Sequence, residues 1–293
     1  MKKIAFIGAG NMASAIVGGI ISSELSSPND IILFDKNEQQ YSKFNENCNK
    51  AKDIFSAIEF ADYIFLSVKP QNLNDVLCEI KLKENYKQKV FVSICAGIKM
   101  SSIEAHLGEV KIARAMPNTP LLISQGTTGI CRNLQISDEE FNFVKSIFSS
   151  SGYVVAVNED DINNVTALTG SSPAYVYLFI KSMVDSAKKL GFDNENAVKM
   201  ACNTVIGSAN MILDSDKDIA ELIRMVTSPK GTTEKALEVF YSNDFSGIIH
   251  KAMTACSERA DELSNLNWGI SNERKEKIQF VWLVFQGCRQ GQR

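Results

Sequence analysis

The residues best suited to bind a ligand lie close to the start of the chain, where the apolar run Ile4–Ile7 leads into a glycine-rich turn. The turn reads G-x-G-x-x-A, with Gly8, Gly10 and Ala13 at the fixed positions. Between a strand and a helix, this spacing is typical of sites that bind the pyrophosphate of a dinucleotide. The first glycine permits a tight turn, and the second lets the backbone approach the phosphates. The alanine lets the helix pack on the sheet with its N–H groups facing the anion. A glycine-rich helix start with a purely structural role is the alternative.

The next strand-like run, Ile31–Phe34, is followed by Asp35 and Lys36. An acid at this point of a dinucleotide site normally accepts the ribose 2′-hydroxyl and repels a 2′-phosphate, whereas a basic residue nearby accommodates that phosphate. Because the two signals conflict, the sequence leaves the choice between NADH and NADPH open. Asp35 could instead cap the helix that follows.

Two further strand exits are expected at the same edge of the sheet, where open α/β sheets bind their ligands. In the loop 67–71, Pro70 lacks an N–H group and fixes its own φ, which stiffens the backbone. In the loop 93–97, small side chains leave room for a nicotinamide ring, and Cys95 is interpreted as a wall residue because no activating group is evident. The segment 114–120 carries Asn118 between two prolines and is either a rigid crossover or a support for that ring.

The second half of the chain contains one segment suited to an anion. In the segment 227–233, hydroxyl side chains and backbone N–H groups meet at the start of a helix, an arrangement that can hold a carboxylate. No pair of acidic residues indicates acid–base catalysis, and Glu159 is the one acid that we expect near a site.

The elements that must position these residues change character along the chain. Apolar runs alternate with helical patterns up to about residue 155, which predicts an N-terminal α/β domain with a doubly wound, mostly parallel sheet of the Rossmann type. Beyond Glu159 only helical periods follow, so an all-α C-terminal domain is predicted, and its apolar helices favour dimerisation over a packed monomeric bundle. The predicted domains are 1–157 for the dinucleotide, 158–265 for the helices, and an atypical tail, 266–293, that is docked or disordered. The predicted strands are Lys3–Ile7, Ile31–Phe34, Tyr63–Ser67, Val90–Ile94, Ile112–Met116 and Tyr153–Val157. The predicted helices include Gln71–Ile80, Asp138–Phe148, Asn163–Leu168, Ala174–Leu190, Asn194–Leu213, Ile219–Met225, Thr233–Phe240 and Phe245–Leu263.

Composition argues against several classes of function. The 293 residues are 45% apolar and 22% charged, as in a globular protein with a full core. The net charge of −3 gives no reason to expect a nucleic acid or an anionic membrane as partner, and no apolar run is long enough to span a bilayer. His106 and His250 show no metal-ligand spacing, so no metal is expected. Seven scattered cysteines without a C-x-x-C pair favour reduced thiols in a cytoplasmic protein.

Seven segments, in order between residue 1 and about residue 265, together resemble the pyrroline-5-carboxylate reductases. They read IAFIGAGNMASAI, VKPQ, SICAGI, RAMPNTP, VTALTGSSPAY, VTSPKGTT and AMTACSERADEL. The pair RAMPNTP and SPKGTT is more specific than the glycine turn. The resemblance implies hydride transfer from NADPH or NADH to the ring C=N of 1-pyrroline-5-carboxylate, which gives L-proline. It also implies a homodimer, or a ring of dimers, built through the helical domain.

The resemblance also implies roles for individual residues. Thr233 matches the threonine of the family that hydrogen-bonds the ring nitrogen, and is the catalytic candidate. The substrate-binding candidates are Ser228, Lys230, Gly231, Thr232 and Thr233 from the loop, together with Glu159. The cofactor-binding candidates, taken with those above, are Ile7, Gly8, Ala9, Gly10, Asn11, Met12, Asp35, Lys36, Val68, Lys69, Pro70, Cys95, Ala96, Gly97 and Asn118.

One departure from the family pattern stands out, because Lys230 replaces the first glycine of the usual S-P-G-G-T-T loop. If that position needs a positive φ, the lysine costs roughly 1 kcal/mol, although its ammonium could also attract the substrate carboxylate. Two alternative functions are a non-catalytic dinucleotide-binding paralogue and a β-hydroxyacid dehydrogenase. The latter group has an asparagine four residues after a lysine on its first interdomain helix, whereas here Lys181 is followed by Asp185.

Overall fold

The computed structural model describes residues 2–82 and 84–265, which form two compact units. The first unit comprises, among these residues, 2–117, 121–162 and 260–265, and the second comprises 118–120 and 163–259. The domain limits drawn from the sequence at 157 and 265 stay predictions. The tail predicted from residue 266 onward lies outside the described residues.

The first unit is built on an eight-stranded sheet with the order β3-β2-β1-β4-β5-β6-β7-β8. All neighbouring strands are parallel except β6 and β7, so the doubly wound, mostly parallel sheet is confirmed. Each of the six predicted strands matches an observed strand to within one residue at either end. The strands are β1 (Ile4–Ile7), β2 (Ile31–Phe34), β3 (Asn49–Lys50), β4 (Tyr63–Leu66), β5 (Val90–Ser93), β6 (Lys111–Met116), β7 (Gly126–Arg132) and β8 (Gly152–Ala156).

Two strands were not predicted from the sequence, because neither contains an apolar run. The two residues of β3 are polar and exposed. Strand β7 begins with Gly126 and has Gly129 in its middle, residues that weaken the strand signal. It is antiparallel to β6, with Arg114 opposite Cys131, and parallel to β8.

Helices cover both faces of this sheet. The helices α1 (Asn11–Ser22) and α5 (Asp138–Ser149) pack on one face, and α2 (Ile54–Phe60), α3 (Pro70–Ile80) and α4 (Met100–Leu107) pack on the other. The side chains of β1 alternate between the two cores, with Ala5 and Ile7 in one and Ile4 and Phe6 in the other. Strands buried on both faces read as continuous apolar runs, which explains why they were easy to predict.

The helical part of the chain agrees with the prediction except at one turn. The helices are α6 (Ile162–Val165), α7 (Ser172–Lys189), α8 (Asn194–Asp214), α9 (Ile219–Met225), α10 (Thr232–Ser242) and α11 (Phe245–Asn265). The segment Asn163–Leu168, predicted as helical, is helical, but its second half belongs to a π-helical turn over Thr166–Gly170. There the N–H of Ser171 donates to the carbonyl of Thr166 at 2.8 Å, and the hydroxyl of Thr169 donates to the carbonyl of Val165 at 3.0 Å. Hydroxyl groups that bond the preceding turn in this way often distort a helix.

The second unit buries few of its apolar side chains. Its core is a small cluster between α7 and α8 formed by Val184, Ala197 and Ala201, with partly buried neighbours. Large apolar side chains are exposed on α7 to α11; examples are Tyr177, Leu178, Phe179, Ile206, Met211, Leu213, Ile223, Met225, Val239, Tyr241 and Ile248. Exposed apolar surface on this scale is typical of an interaction surface. No helix in the described part of the chain is both long enough and apolar enough to cross a membrane.

Candidate functional site

The glycine turn joins β1 to α1 and has the backbone geometry that its residues predict. Gly8 has φ +102°, and a Cβ at this position would lie 2.6 Å from the carbonyl carbon and oxygen of Ser67. The carbonyl of Gly8 accepts the Ser67 hydroxyl at 2.7 Å, so the exit of β4 is bound to the turn. At Gly10 an added Cβ would meet no atom within 4 Å. Gly8 is therefore required by the protein's own packing, whereas Gly10 leaves the backbone accessible to a ligand.

A cleft of about 580 Å³ opens beside this turn, a size within the usual range of small-molecule sites. The start of α1 borders this cleft, and no side chain of the described residues caps that helix, so its first N–H groups are left for an anion. Eight cofactor-binding candidates line the cleft: Ile7, Gly8, Gly10, Asn11, Asp35, Lys36, Val68 and Lys69.

Seven further residues line the cleft that were not among the cofactor-binding candidates, although Ser67 belongs to the loop 67–71 that was expected at this edge. They are Phe34, Gln40, Lys43, Ser67, Asn72, Asp75 and Val76. Asn72, Asp75 and Val76 are spaced at i, i+3 and i+4 along α3, so the helical period after Pro70 could have indicated them. Gln40 and Lys43 belong to a short 3₁₀ helix, Glu38–Lys43, and no sequence pattern pointed to them.

The carboxylate of Asp35 is held at the end of β2 by two backbone donors. Its Oδ2 accepts the N–H of Ala9 at 2.8 Å, and its Oδ1 accepts the N–H of Asn37 at 2.8 Å. The backbone N–H of Asp35 in turn donates to the hydroxyl of Tyr41 at 2.9 Å. Asp35 thus links the glycine turn to the start of the 3₁₀ helix, where Asn37 is the capping residue. A bond from Asp35 to a ribose hydroxyl stays a prediction.

The cysteine after β5 is buried and is not an activated thiol, while its role as a wall of the cofactor site stays a prediction. Burial raises the pKa of Cys95 to about 12, and its Sγ lies 3.3 Å from the carbonyl oxygens of Leu66 and Val68. Burial also raises the pKa of Cys131 to about 12. Both thiols are therefore protonated at neutral pH, when they are poor nucleophiles. Of the neighbouring cofactor candidates, Ala96 is exposed and Gly97 has φ +71°, where an added Cβ would lie 3.2 Å from Leu263 Cβ.

Glu159 joins three segments of the first unit. Its Oε1 accepts the N–H of Met100, the first residue of α4, at 2.6 Å. The same oxygen lies 3.3 Å from Nη1 of Arg114, whose side chain is only 3% exposed. Arg114 is paired in register with Ser93 of β5, and the loop of Cys95 to Gly97 leads from β5 toward α4. Glu159 therefore compensates a buried guanidinium and holds the start of α4, while a contact with substrate stays a prediction.

The segment of the second unit that is predicted to bind an anion leads from α9 into α10. Lys230 has φ +60°, the left-handed conformation that the glycine of the related loops would adopt without strain. The N–H of Lys230 donates to Glu234 Oε2 at 2.7 Å, and the N–H of Gly231 donates to the carbonyl of Ser228 at 2.9 Å. A Cβ at Gly231 would lie 2.9 Å from the backbone carbonyl oxygen of Ser228, so this position favours glycine for lack of space.

Two further candidates belong to the second unit. Thr233, the catalytic candidate, is half-buried in the first turn of α10, next to Thr232. Asn118 is buried, and its Nδ2 donates to the carbonyl of Thr169 in the π-helical turn at 3.0 Å. The amide therefore supports that turn, and contact of Asn118 with a nicotinamide ring stays a prediction.

The two histidines lie outside these sites. His106 is in the last turn of α4, with Nδ1 2.9 Å from the carbonyl oxygen of Ser102, and His250 is exposed on α11. Among the residues that the structure describes, no group of three His, Cys, Asp or Glu side chains is placed to hold a metal ion.

Comparison with protein-family models gives two matches that together span most of the described chain. Residues 159–263 match the family described as pyrroline-5-carboxylate reductase dimerisation, and residues 3–97 match NADP oxidoreductase coenzyme F420-dependent.

Individual relatives agree with the first of these families. The chain is 37% identical over 266 residues to a pyrroline-5-carboxylate reductase of Pseudomonas aeruginosa, covering 89% of this chain and 97% of the relative. It is 38% identical to the pyrroline-5-carboxylate reductase of Escherichia coli, covering 90% of this chain and 98% of the relative. Among solved structures, a pyrroline-5-carboxylate reductase from Coxiella burnetii superimposes with a TM-score of 0.83 at 35% identity, covering 90% of this chain and 99% of that one. A Plasmodium falciparum pyrroline carboxylate reductase with NADP bound gives a TM-score of 0.83 at 30% identity, covering 90% and 98%.

Proposed function

The chain belongs to the pyrroline-5-carboxylate reductase family, and we infer from this premise that it reduces the ring C=N of 1-pyrroline-5-carboxylate to give L-proline, with NAD(P)H as reductant. This reaction is the last step of proline biosynthesis. The single observation that carries the inference is the likeness of both halves of the chain to these reductases at 37–38% identity over 266 residues. The 580 Å³ cleft beside the glycine turn supplies the physical support for a dinucleotide.

The residues of the first unit fit a dinucleotide and would hold its phosphates. The open backbone at Gly10 and the first N–H groups of α1, beginning with Asn11, offer donors to the pyrophosphate. Val68 to Pro70 and Cys95 to Gly97 are proposed to border the nicotinamide half, with the protonated Cys95 thiol as an inert wall. When bound, the dinucleotide supplies the hydride that adds to the imine carbon.

The residues of the second unit are proposed to hold the substrate. The backbone N–H groups of Thr232 and Thr233, at the start of α10, and the hydroxyls of Ser228, Thr232 and Thr233 offer donors to its carboxylate. The N–H groups of Lys230 and Gly231 are already bonded within the protein, but the ammonium of Lys230 adds a favourable charge. The hydroxyl of Thr233 is proposed to hydrogen-bond the ring nitrogen. Because a protonated imine is already a strong electrophile, this hydroxyl mainly orients the ring and keeps the proton on nitrogen.

The enzyme oligomerises through its helical domain, which matches the dimerisation family. We propose a homodimer, or a ring of such dimers, in which α7 to α11 cover each other's exposed apolar side chains. We also propose a cytoplasmic location. The six cysteines of the described residues are free thiols, which is consistent with a reducing compartment.

The proposed function is tested by following NAD(P)H oxidation at 340 nm with 1-pyrroline-5-carboxylate and the full chain. Thr233→Val removes the hydroxyl with little change of volume, and kcat/KM should fall about 10- to 100-fold, the usual cost of a hydrogen bond made to the reacting group. Ser242→Ala is the matched control, because it removes a hydroxyl from the exposed end of the same helix. Its activity should stay within twofold.

Two results would contradict parts of this proposal. Dinucleotide binding without any oxidation would identify a non-catalytic paralogue, and oxidation of a β-hydroxyacid in place of imine reduction would identify a dehydrogenase. Equal activity of Thr233→Val and Ser242→Ala would remove Thr233 from the catalytic step while leaving the reaction itself in place.

A further inference from the structure

An acid at the position of Asp35 normally binds the ribose 2′-hydroxyl of the cofactor, but in this chain the Asp35 carboxylate has a structural role. Each of its oxygens accepts a backbone N–H at 2.8 Å, one from Ala9 in the glycine turn and one from Asn37, which caps the 3₁₀ helix. These bonds fix the carboxylate and partly offset its negative charge at the mouth of the cleft. The presence of Asp35 is therefore explained without a ribose hydroxyl.

The ammonium of Lys43 is held at the rim of the same cleft. Its Nζ donates to Asn11 Oδ1 at 2.7 Å and to Gln40 Oε1 at 2.6 Å, and the Lys43 carbonyl accepts the hydroxyl of Ser14 at 3.1 Å. Both the backbone and the side chain of Lys43 are thus tied to the first turn of α1 or to its own 3₁₀ helix. A lysine ammonium has three donors, so one remains for a ligand.

The two neutral partners leave the charge of Lys43 uncompensated. The ion pairs between residues that the structure describes include none with Lys43. Lys36 is the other lysine near Asp35. Burial raises the pKa of Glu79 on α3, and the positive charge of Lys36 opposes that shift, so Lys36 is close enough to interact with a carboxylate. The cleft lining as a whole contains three lysines and two aspartates, a balance of +1.

We propose that Lys43 is the residue that selects the cofactor, by binding the 2′-phosphate of NADPH, and that Lys36 assists it. The inference rests on the dinucleotide use proposed above and extends it to a preference for NADPH over NADH. Only the 2′-phosphate distinguishes the two dinucleotides, and a fixed ammonium with a free donor and no acidic partner suits that group. Asn11 and Gln40 are positioning residues, because they hold the ammonium and do not themselves recognise the phosphate.

The first experiment compares kcat/KM for NADPH and NADH with 1-pyrroline-5-carboxylate as substrate. The unaltered enzyme should favour NADPH at least 10-fold. Lys43→Ala should lower kcat/KM for NADPH about 10- to 100-fold, the usual range for a charge-assisted hydrogen bond, and change that for NADH less than threefold. Lys43→Arg should retain the preference. Lys52→Ala, which removes an exposed lysine outside the cleft, should leave both values unchanged.

The second experiment needs no turnover and therefore separates this inference from the proposed reaction. Isothermal titration should show adenosine 2′,5′-bisphosphate binding at least 10-fold more tightly than adenosine 5′-monophosphate. In Lys43→Ala that difference should shrink to less than threefold. If this pattern appears without imine reduction, the cofactor inference stands and the reaction assignment fails.

Three results would overturn the inference. The first is equal binding of the two adenosine nucleotides by the unaltered enzyme. The second is a loss in Lys43→Ala that is the same for NADPH and NADH, which would show a merely structural role. The third is a selective loss of NADH binding in Asp35→Asn, which would show that Asp35 binds the ribose hydroxyl. We expect this variant to weaken the binding of both dinucleotides equally, because it loosens the glycine turn.

Discussion

Replacement of Lys230 by glycine should stabilise the protein, although it removes a long side chain from a proposed substrate loop. At φ +60° an L-residue is strained by about 1–2 kcal/mol, and glycine is not. Glycine makes the unfolded chain more flexible, which costs about 0.4–1 kcal/mol of stability. The bond from the backbone N–H of this residue to Glu234 Oε2 can persist, so the free energy of unfolding should rise by about 0.5–1 kcal/mol.

Thermal unfolding measures this difference directly. A gain of this size should raise the Tm of Lys230→Gly by about 1–4 °C, given the usual entropy of unfolding of domains of this size. Lys230→Ala is the matched control, because it loses the ammonium but keeps the Cβ and hence the strain. Its Tm should not rise. The argument is refuted if Lys230→Gly melts below the unaltered protein, or if the alanine variant is stabilised equally.

The same pair of variants isolates the contribution of the Lys230 ammonium to catalysis. Both lose the charge, so both should raise KM for 1-pyrroline-5-carboxylate by the same factor, which we expect to be several-fold because the side chain is exposed. The kcat of both should stay within several-fold of the unaltered enzyme. A complete loss of activity in Lys230→Gly would show instead that the lysine is essential.

Three further predictions follow from contacts in the first unit. Gly8→Ala places a Cβ at a position with positive φ and within 2.6 Å of backbone atoms, so it should lower the free energy of unfolding by about 2–4 kcal/mol. Urea unfolding measures this loss, and a fluorescence titration should show weaker dinucleotide binding. Glu159→Ala leaves the guanidinium of Arg114 buried without this carboxylate and should lower the free energy of unfolding by about 2–3 kcal/mol. This is less than for a fully buried pair, because the glutamate side chain is 26% exposed. An unchanged midpoint of urea unfolding would contradict the role assigned to the pair. With pKa values raised to about 12, Cys95 and Cys131 have about one thiolate in ten thousand at pH 8, so both should resist iodoacetamide in the folded enzyme and react once it is unfolded, as mass spectrometry of the peptides can show.

The buried strands and the long helices could be predicted from the sequence because each carries a strong local pattern. The continuous apolar run of β1 indicates a strand covered on both faces, and the helical period of α8 extends over five turns. Strand β7 could not be found in this way, since its pairing with β6 is what stabilises a segment that contains Gly129 and few apolar side chains. Non-local pairing of this kind leaves no local signature.

The candidate site was predictable to the extent that its residues belong to motifs. The glycine turn lies between a strand and a helix, and the loop containing Lys230 leads into a helix, as their sequences predict. Lys230 has φ +60°, which is the case in which the replacement of glycine was expected to cause strain. The π-helical turn that begins at Thr166 was missed, because a hydroxyl bonded to the preceding turn looks, in the sequence, like an ordinary helical residue.

Asp35 shows why the identity of a residue does not by itself decide cofactor preference. A carboxylate has about four acceptor positions, and the sequence does not reveal which of them the protein's own backbone already uses. Here the glycine turn and the 3₁₀ helix each take one, while the uncompensated cation comes from Lys43, nine residues after the end of β2, and is held by Asn11 from a different segment. The electrostatic preference of the cleft is thus produced by three segments that meet only in the folded chain. Any assignment of NADH or NADPH to such proteins must therefore consider which acceptors and charges remain unused after folding, and not only whether an acid follows the second strand.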